Sequence, residues 1–120
     1  MQPEETETAT ERTRRLNDEM REFILTGNVE AYGTLLMTRG VADQGEAFAR
    51  RAAEAVARFD AFDPDNDPYH EHDFGALEIA GEKLFFKIDY YDLAMSTHSS
   101  DKSDIAVTHR LLTVMLTNEY

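Results

Sequence analysis

The sequence predicts a small α+β domain: three helices packed on a roughly three-stranded antiparallel sheet, in the order α-β-α-β-β-α. Three observations lead there. Apolar residues recur at helical spacing over residues 10–26 and 43–59. Two alternating segments flank Ala80-Gly81-Glu82 as the arms of a hairpin do. With 120 residues and 42% apolar content, the chain supports one modest core rather than two.

Residues 1–9, rich in Glu and Thr, have nothing to bury and read as a flexible acidic tail before a single domain over 10–120. The first helix then places Leu16, Met20, Phe23 and Ile24 on one stripe, with Arg14, Arg15, Asp18, Glu19 and Glu22 facing away. Gly27 suits a left-handed cap at its end. Residues 32–38, "YGTLLMT", are too short for a helix and read as a strand. A second helix over 43–59 carries Phe48, Ala52, Ala55, Val56 and Phe59 on its apolar side. Strands follow over 73–79 and 83–91. Alternation puts Leu84, Phe86, Ile88 and Tyr90 on the core face, and Phe85, Lys87, Asp89 and Tyr91 on the other. Residues 104–118 are predicted as the last helix, capped by Ser103 or Asp104, with Arg110 and His109 on its wet side. Its apolar residues cover more than half the circumference, so it should be well buried.

Composition excludes several functions. There is no Cys, which removes disulfides, thiolate metal sites and cysteine nucleophiles. No apolar run approaches the ~18 residues of a spanning helix and no signal peptide is visible, so a soluble cytoplasmic protein is expected. The net charge of −12 repels phosphate backbones, and direct nucleic-acid binding is disfavoured. Residues 60–92 hold ten acids against Lys83 and Lys87, so a quarter of the chain supplies most of that charge. No P-loop, G-x-S-x-G or G-x-G-x-x-G motif occurs.

The densest segment is "DPDNDPYHEHDFG", residues 63–75. Asp63, Asp65 and Asp67 match the first three ligands of a calcium loop. Pro68 replaces the required Gly, and Phe74 the terminal Glu, so that loop fails. His70 and His72 on extended backbone would share one side, with Asp73, Asp89 or Asp92 as a third metal ligand. Asp89, between Ile88 and Tyr90, would be partly desolvated and suited to acid–base work; Lys87 on the same face offers it a plain ion pair. Tyr69 and Phe74 are expected to anchor the loop against the hairpin, and Pro64 and Pro68 to stiffen it. On that view, changing Asp63, Asp65 and Asp67 together to Asn costs no stability.

"FDAFDPDNDPYHEHDFGALEIAGEKLFFKIDYYD" followed by "VTHRLLTVMLTNEY" resembles an uncharacterised family of small bacterial proteins, catalogued as a domain of unknown function. The resemblance runs from about Leu16 to Tyr120 and is densest over 59–92. The family pattern commonly has Gly where this chain has His70, which weakens a paired-histidine metal site. It implies no activity, only that Asn66, Asp67, Pro68, Tyr69, Glu71, His72, Asp73, Lys87, Asp89, Tyr90, Tyr91 and Asp92 form the characteristic part.

Two functions are therefore expected. One is a non-enzymatic binding protein that presents acidic and aromatic residues to a basic protein surface, needing no cofactor. Its candidate contacts are Asp63, Asp65, Asp67, Tyr69, Glu71, His72, Asp73, Lys87, Asp89, Tyr91 and Asp92; one form of it is a nucleic-acid mimic of anti-restriction or anti-CRISPR type. The other is a small metal-dependent or acid–base enzyme centred on His72, Glu71, Asp73 and Asp89.

Overall fold

A computed structural model describes residues 6–120. Helix α1 spans Ala9–Glu22 and opens with a capping box: Thr8 accepts from the Glu11 amide while Glu11 accepts from the Thr8 amide. Part of the tail expected over 1–9 is therefore ordered, and Glu7 pairs with Arg12 and Arg15. Its residues 1–5 lie outside the described residues. Gly27, at φ 85°, donates to the Phe23 carbonyl and stops the helical turns, as expected of a left-handed cap.

Strand β1 (Gly33–Met37), a one-turn α2 (Arg39–Ala42) and α3 (Glu46–Ala57) come next. The second helix expected over 43–59 thus begins at Glu46, after the short α2 and a glycine turn. The hairpin is β2 (Phe74–Ile79) and β3 (Glu82–Tyr91). Its two-residue turn, Ala80-Gly81, has positive φ at both positions, as a type I′ connection requires.

The last predicted helix is a strand. β4 (His109–Leu116) lies in the sheet, which has four strands ordered β1-β4-β3-β2. The correction has a physical reason. An apolar run that fills more than half a helical wheel also describes a central strand covered on both faces. Leu112 and Val114 point to the helices, while Thr113 and Met115 are buried on the opposite side. Asp104 does cap, but the turn it opens is a single 3₁₀ turn over Ile105–Val107. The sheet is mixed: β4 is antiparallel to β3 and parallel to β1, where a purely antiparallel sheet was expected.

All three helices cover one face. Met20, Val41, Phe48, Ala52 and Val56 close over Leu84, Phe86, Ile88, Leu112 and Val114, which form the core. Two glycines permit close approach. A Cβ on Gly33 would fall 1.8 Å from the Arg110 carbonyl oxygen, and one on Gly75 would meet Phe86 at 2.4 Å and Phe59 at 2.8 Å. Both positions exclude any larger residue.

Candidate functional site

The acidic segment folds as a sequence of side-chain-closed turns. Asp63 Oδ1 accepts from the amides of Asp65 (2.9 Å) and Asn66 (3.0 Å), and Asn66 returns a bond to the Asp63 amide. Asp67 turns inward. It is only 5% exposed, and its Oδ1 accepts from the amides of Glu71 (2.9 Å) and His72 (3.0 Å). His70 and His72 sit at φ 60° and 57°, in the left-handed region and not on the extended backbone expected of them. That geometry favours Gly at position 70, where the resembled pattern has one.

Two polar clusters result. In the first, His72 Nδ1 lies 2.8 Å from Asp18 Oδ1 and its Nε2 3.5 Å from Asp67 Oδ2. The ring stacks on Phe62 at 3.9 Å, and Phe62 meets Phe59 edge-on at 4.9 Å. Arg21 is buried beneath. It bonds to Asp18 and to the Phe59 carbonyl and lies over the Phe62 and Phe86 rings. Burial pushes its guanidinium below the usual arginine range, against the pull of Asp18.

In the second cluster, fully buried Arg110 donates from Nε to Asn17 Oδ1 at 2.7 Å. Asn17 Nδ2 donates to the Glu71 carbonyl (2.9 Å) and to the Tyr90 hydroxyl (2.8 Å). Tyr90 in turn donates to Asp73 at 2.9 Å, and Lys102 pairs with Glu71 at 2.6 Å. Burial pushes the carboxyl of Asp73 up, partly offset by the Tyr90 hydroxyl. Burial, then the charge of Asp73, also raises Tyr90. The placement of Arg110 on a wet side is thereby overturned: β4 is a strand, and its register sets Arg110 opposite Tyr90 on the helix-covered face.

The expected binding residues therefore part company. Asp63 and Asp65 are exposed in the turn. Tyr69 is 76% exposed and anchors nothing, whereas Phe74 packs on Phe85 (5.0 Å) and Tyr120 (6.1 Å) as an anchor should. Asp67, Glu71, His72 and Asp73 join the two clusters. Lys87, Asp89 and Tyr91 stand on the helix-free face, where Lys87 and Asp89 pair at 3.0 Å. Asp92 caps the following turn by accepting from the Ser96 amide. Asp89 is thus across the sheet from His72, Glu71 and Asp73, and those four do not converge on one reactive centre. Among the described residues, no group of three or more His, Asp or Glu side chains is arranged to hold a metal.

A cavity of about 600 Å³ lies beside the first cluster between α1 and the end of α3. Phe59, Phe62, Ala57 and Leu25 supply its apolar lining, Asp18, Glu22 and Asp60 its acids, and Arg21, Arg58 and His72 complete it. A smaller recess lined by Asp63, Asp67 and His70 adjoins it, sharing Phe62 and His72. Sequence reading passed over Asp18, Arg21, Glu22, Phe59 and Phe62 as site residues. One signal was available: Asn17 and Arg21 stand four apart, on the flank of the Leu16–Met20–Ile24 stripe, where a lone polar residue must find a buried partner.

The sequence model of DUF3768, described as a protein of unknown function, matches residues 37–119. The chain belongs to that family. The DUF3768 match begins later than the resemblance from Leu16, so α1 and most of β1 precede it. In this DUF3768 chain the groove thus joins a wall from outside the matched segment, Asp18 to Leu25, to a floor within it. No curated protein and no solved structure matches the chain significantly.

Proposed function

We propose that this DUF3768 protein is a protein-binding module, and that the groove between α1 and α3 takes basic and aliphatic side chains from a partner surface. The observation that carries this reading is the composition of the groove. The rings of Phe59, Phe62 and His72, with Phe62 stacked on His72 and edge-on to Phe59, lie among Asp18, Glu22 and Asp60, with Asp63 next to them. An arginine or lysine stem would lie along the rings, with its charge toward the rim carboxylates. Asp18 and Asp67 are already engaged by Arg21 and His72, so the free attraction comes from Glu22, Asp60, Asp63 and Asp65. This keeps the acidic, aromatic-edged surface read from the sequence but moves its centre from the loop tip to the groove.

Both ring nitrogens of His72 face carboxylates, Asp18 at 2.8 Å and Asp67 at 3.5 Å, which favours binding over catalysis. The test is a titration with a short peptide rich in Arg and Leu, followed by fluorescence anisotropy. The double variant Glu22→Gln, Asp60→Asn should bind it at least tenfold more weakly, a loss of about 1.4 kcal/mol. Salt should narrow the difference between the two proteins. Equal affinity of parent and variant would remove the groove as the binding site.

A further inference from the structure

We infer that the edge strand β2 pairs with β2 of a second copy of this chain, joining two four-stranded sheets into one. β2 ends the sheet and is paired only with β3. The Ile88 amide donates to the Asp73 carbonyl, and bonding direction alternates along an antiparallel pair. Gly75, Leu77 and Ile79 therefore turn their backbone groups to β3, and Phe74, Ala76 and Glu78 turn theirs outward. Among the described residues nothing bonds to those outward amides and carbonyls. Ala76 and Glu78 are exposed, and the strand has no proline, no bulge and a single charge, so nothing blunts this edge.

An unpaired row of amides and carbonyls selects an extended backbone as its partner, and the register selects this one. The three outward residues are evenly spaced and centred on Ala76. A two-fold axis through that point, perpendicular to the sheet, sets Ala76 against Ala76 of the copy and Phe74 against Glu78. All the outward amides and carbonyls of both copies are then bonded at once. The side chains fit the same register. Gly75, which has none, faces Leu77 of the copy across the seam. Phe74 of the copy stands beside Glu78, one wall of a recess of about 570 Å³ that Ala76, Lys83, Phe85 and Thr117 also line. Charge does not oppose the pairing, because Glu78 is matched by Lys83 directly across on β3.

The chain has no Cys, so single introduced thiols report the register. With Ala76→Cys the two substituted residues lie about 5.5 Å apart at Cα, within disulfide range; with Glu78→Cys they lie roughly 13 Å apart along the strand, beyond it. On mild oxidation the first should link into a dimer of twice 13.7 kDa at least tenfold faster than the second. Sedimentation equilibrium of the unaltered full chain, over a roughly hundredfold dilution, should give the same doubled mass at the upper concentrations. Salt should strengthen the dimer, because it screens the repulsion between two copies that each carry −12. Ala76→Pro removes the amide at the axis and none of those bonded to β3. It should weaken association at least tenfold while circular dichroism shows a folded chain; if it is unfolded, the two cysteine variants still decide. The groove variant Glu22→Gln, Asp60→Asn should associate as the parent does. A monomer throughout, equal linking of the two cysteine variants, a folded Ala76→Pro chain that dimerises as the parent does, or loss of association in the groove variant would overturn the inference.

Discussion

Asp67 illustrates how little a residue's charge says about its task. Its neighbours Asp63 and Asp65 are exposed and could be replaced at small cost, whereas Asp67 is buried and holds two backbone amides and one edge of His72. Of the three aspartates replaced together in the triple Asn variant, only Asp67 therefore has a buried bonding role to preserve. Asp67→Ala leaves the Glu71 and His72 amides unpaired and should destabilise the fold by about 1–3 kcal/mol. Asp67→Asn retains one accepting oxygen and should recover most of that loss. Asp63→Asn should stay within about 0.5 kcal/mol, since its amide oxygen can still close the turn. Urea unfolding of the three variants measures the order, and a harmless Asp67→Ala would make the loop independent of its inner carboxylate.

At the scale of elements, β4 organises the molecule. It is hydrogen-bonded on both sides, to β3 over eight residue pairs and to β1 over five. It carries Leu112 and Val114 into the core and Arg110 into the buried polar cluster. A central strand of this kind opens only with the whole fold. The amides of Leu112 and Val114 are therefore expected to be among the last to exchange with deuterium, and those of the 92–100 loop among the first. Leu112→Ala should cost about 2–5 kcal/mol. Early exchange along 109–116 would contradict the central placement. The edge strands have different protection, β1 being held at Gly33 by a contact so close that Gly33→Ala would separate it from β4.

For the whole molecule, the pH dependence of stability follows from two opposed groups of carboxyls. Glu11, Asp92, Asp101 and Glu119 lie below their ordinary range because capping bonds favour the ionised form. The Thr8 amide holds the first, the Ser96 amide the second, and the Ser103 and Thr38 hydroxyls the third and fourth. Their contribution is present above the unfolded values of 4.5 for Glu and 3.8 for Asp, and is lost as pH falls through the lowered folded ones. Asp73 has the opposite sign. Burial raises it, so its ionisation disfavours the folded state as pH climbs past the unfolded 3.8. Melting temperatures of the parent should fall on acidification below about pH 5. Asp73→Asn should be more stable than the parent at pH 7, keeping an acceptor for Tyr90, and the advantage should vanish below the unfolded value. A gain that grew toward acid would mean that Asp73 contributes as a charge.

The sequence by itself determined the local structure. Helical spacing over residues 10–26 and 43–59 pointed to the helices that form as α1 over 9–22 and α3 over 46–57, because one stripe of apolar side chains suffices to define a surface helix. Alternation fixed both arms of the hairpin and the core face of β3, and the Ala80-Gly81 turn set their register. The resemblance to a domain of unknown function was also legible, and DUF3768 membership over 37–119 bears that out. Only the tertiary structure decided that 109–116 is a strand, since a run apolar on both sides satisfies a buried helix and a central strand alike until its neighbours are known. It likewise decided the direction of β1 and which acids turn inward. Asp67, Glu71 and Asp73 carry the same charge as Asp63 and Asp65. What separates them is the set of amides, Lys102 and Tyr90 that the folded chain brings within hydrogen-bonding distance, and those partners come from residues far apart in sequence.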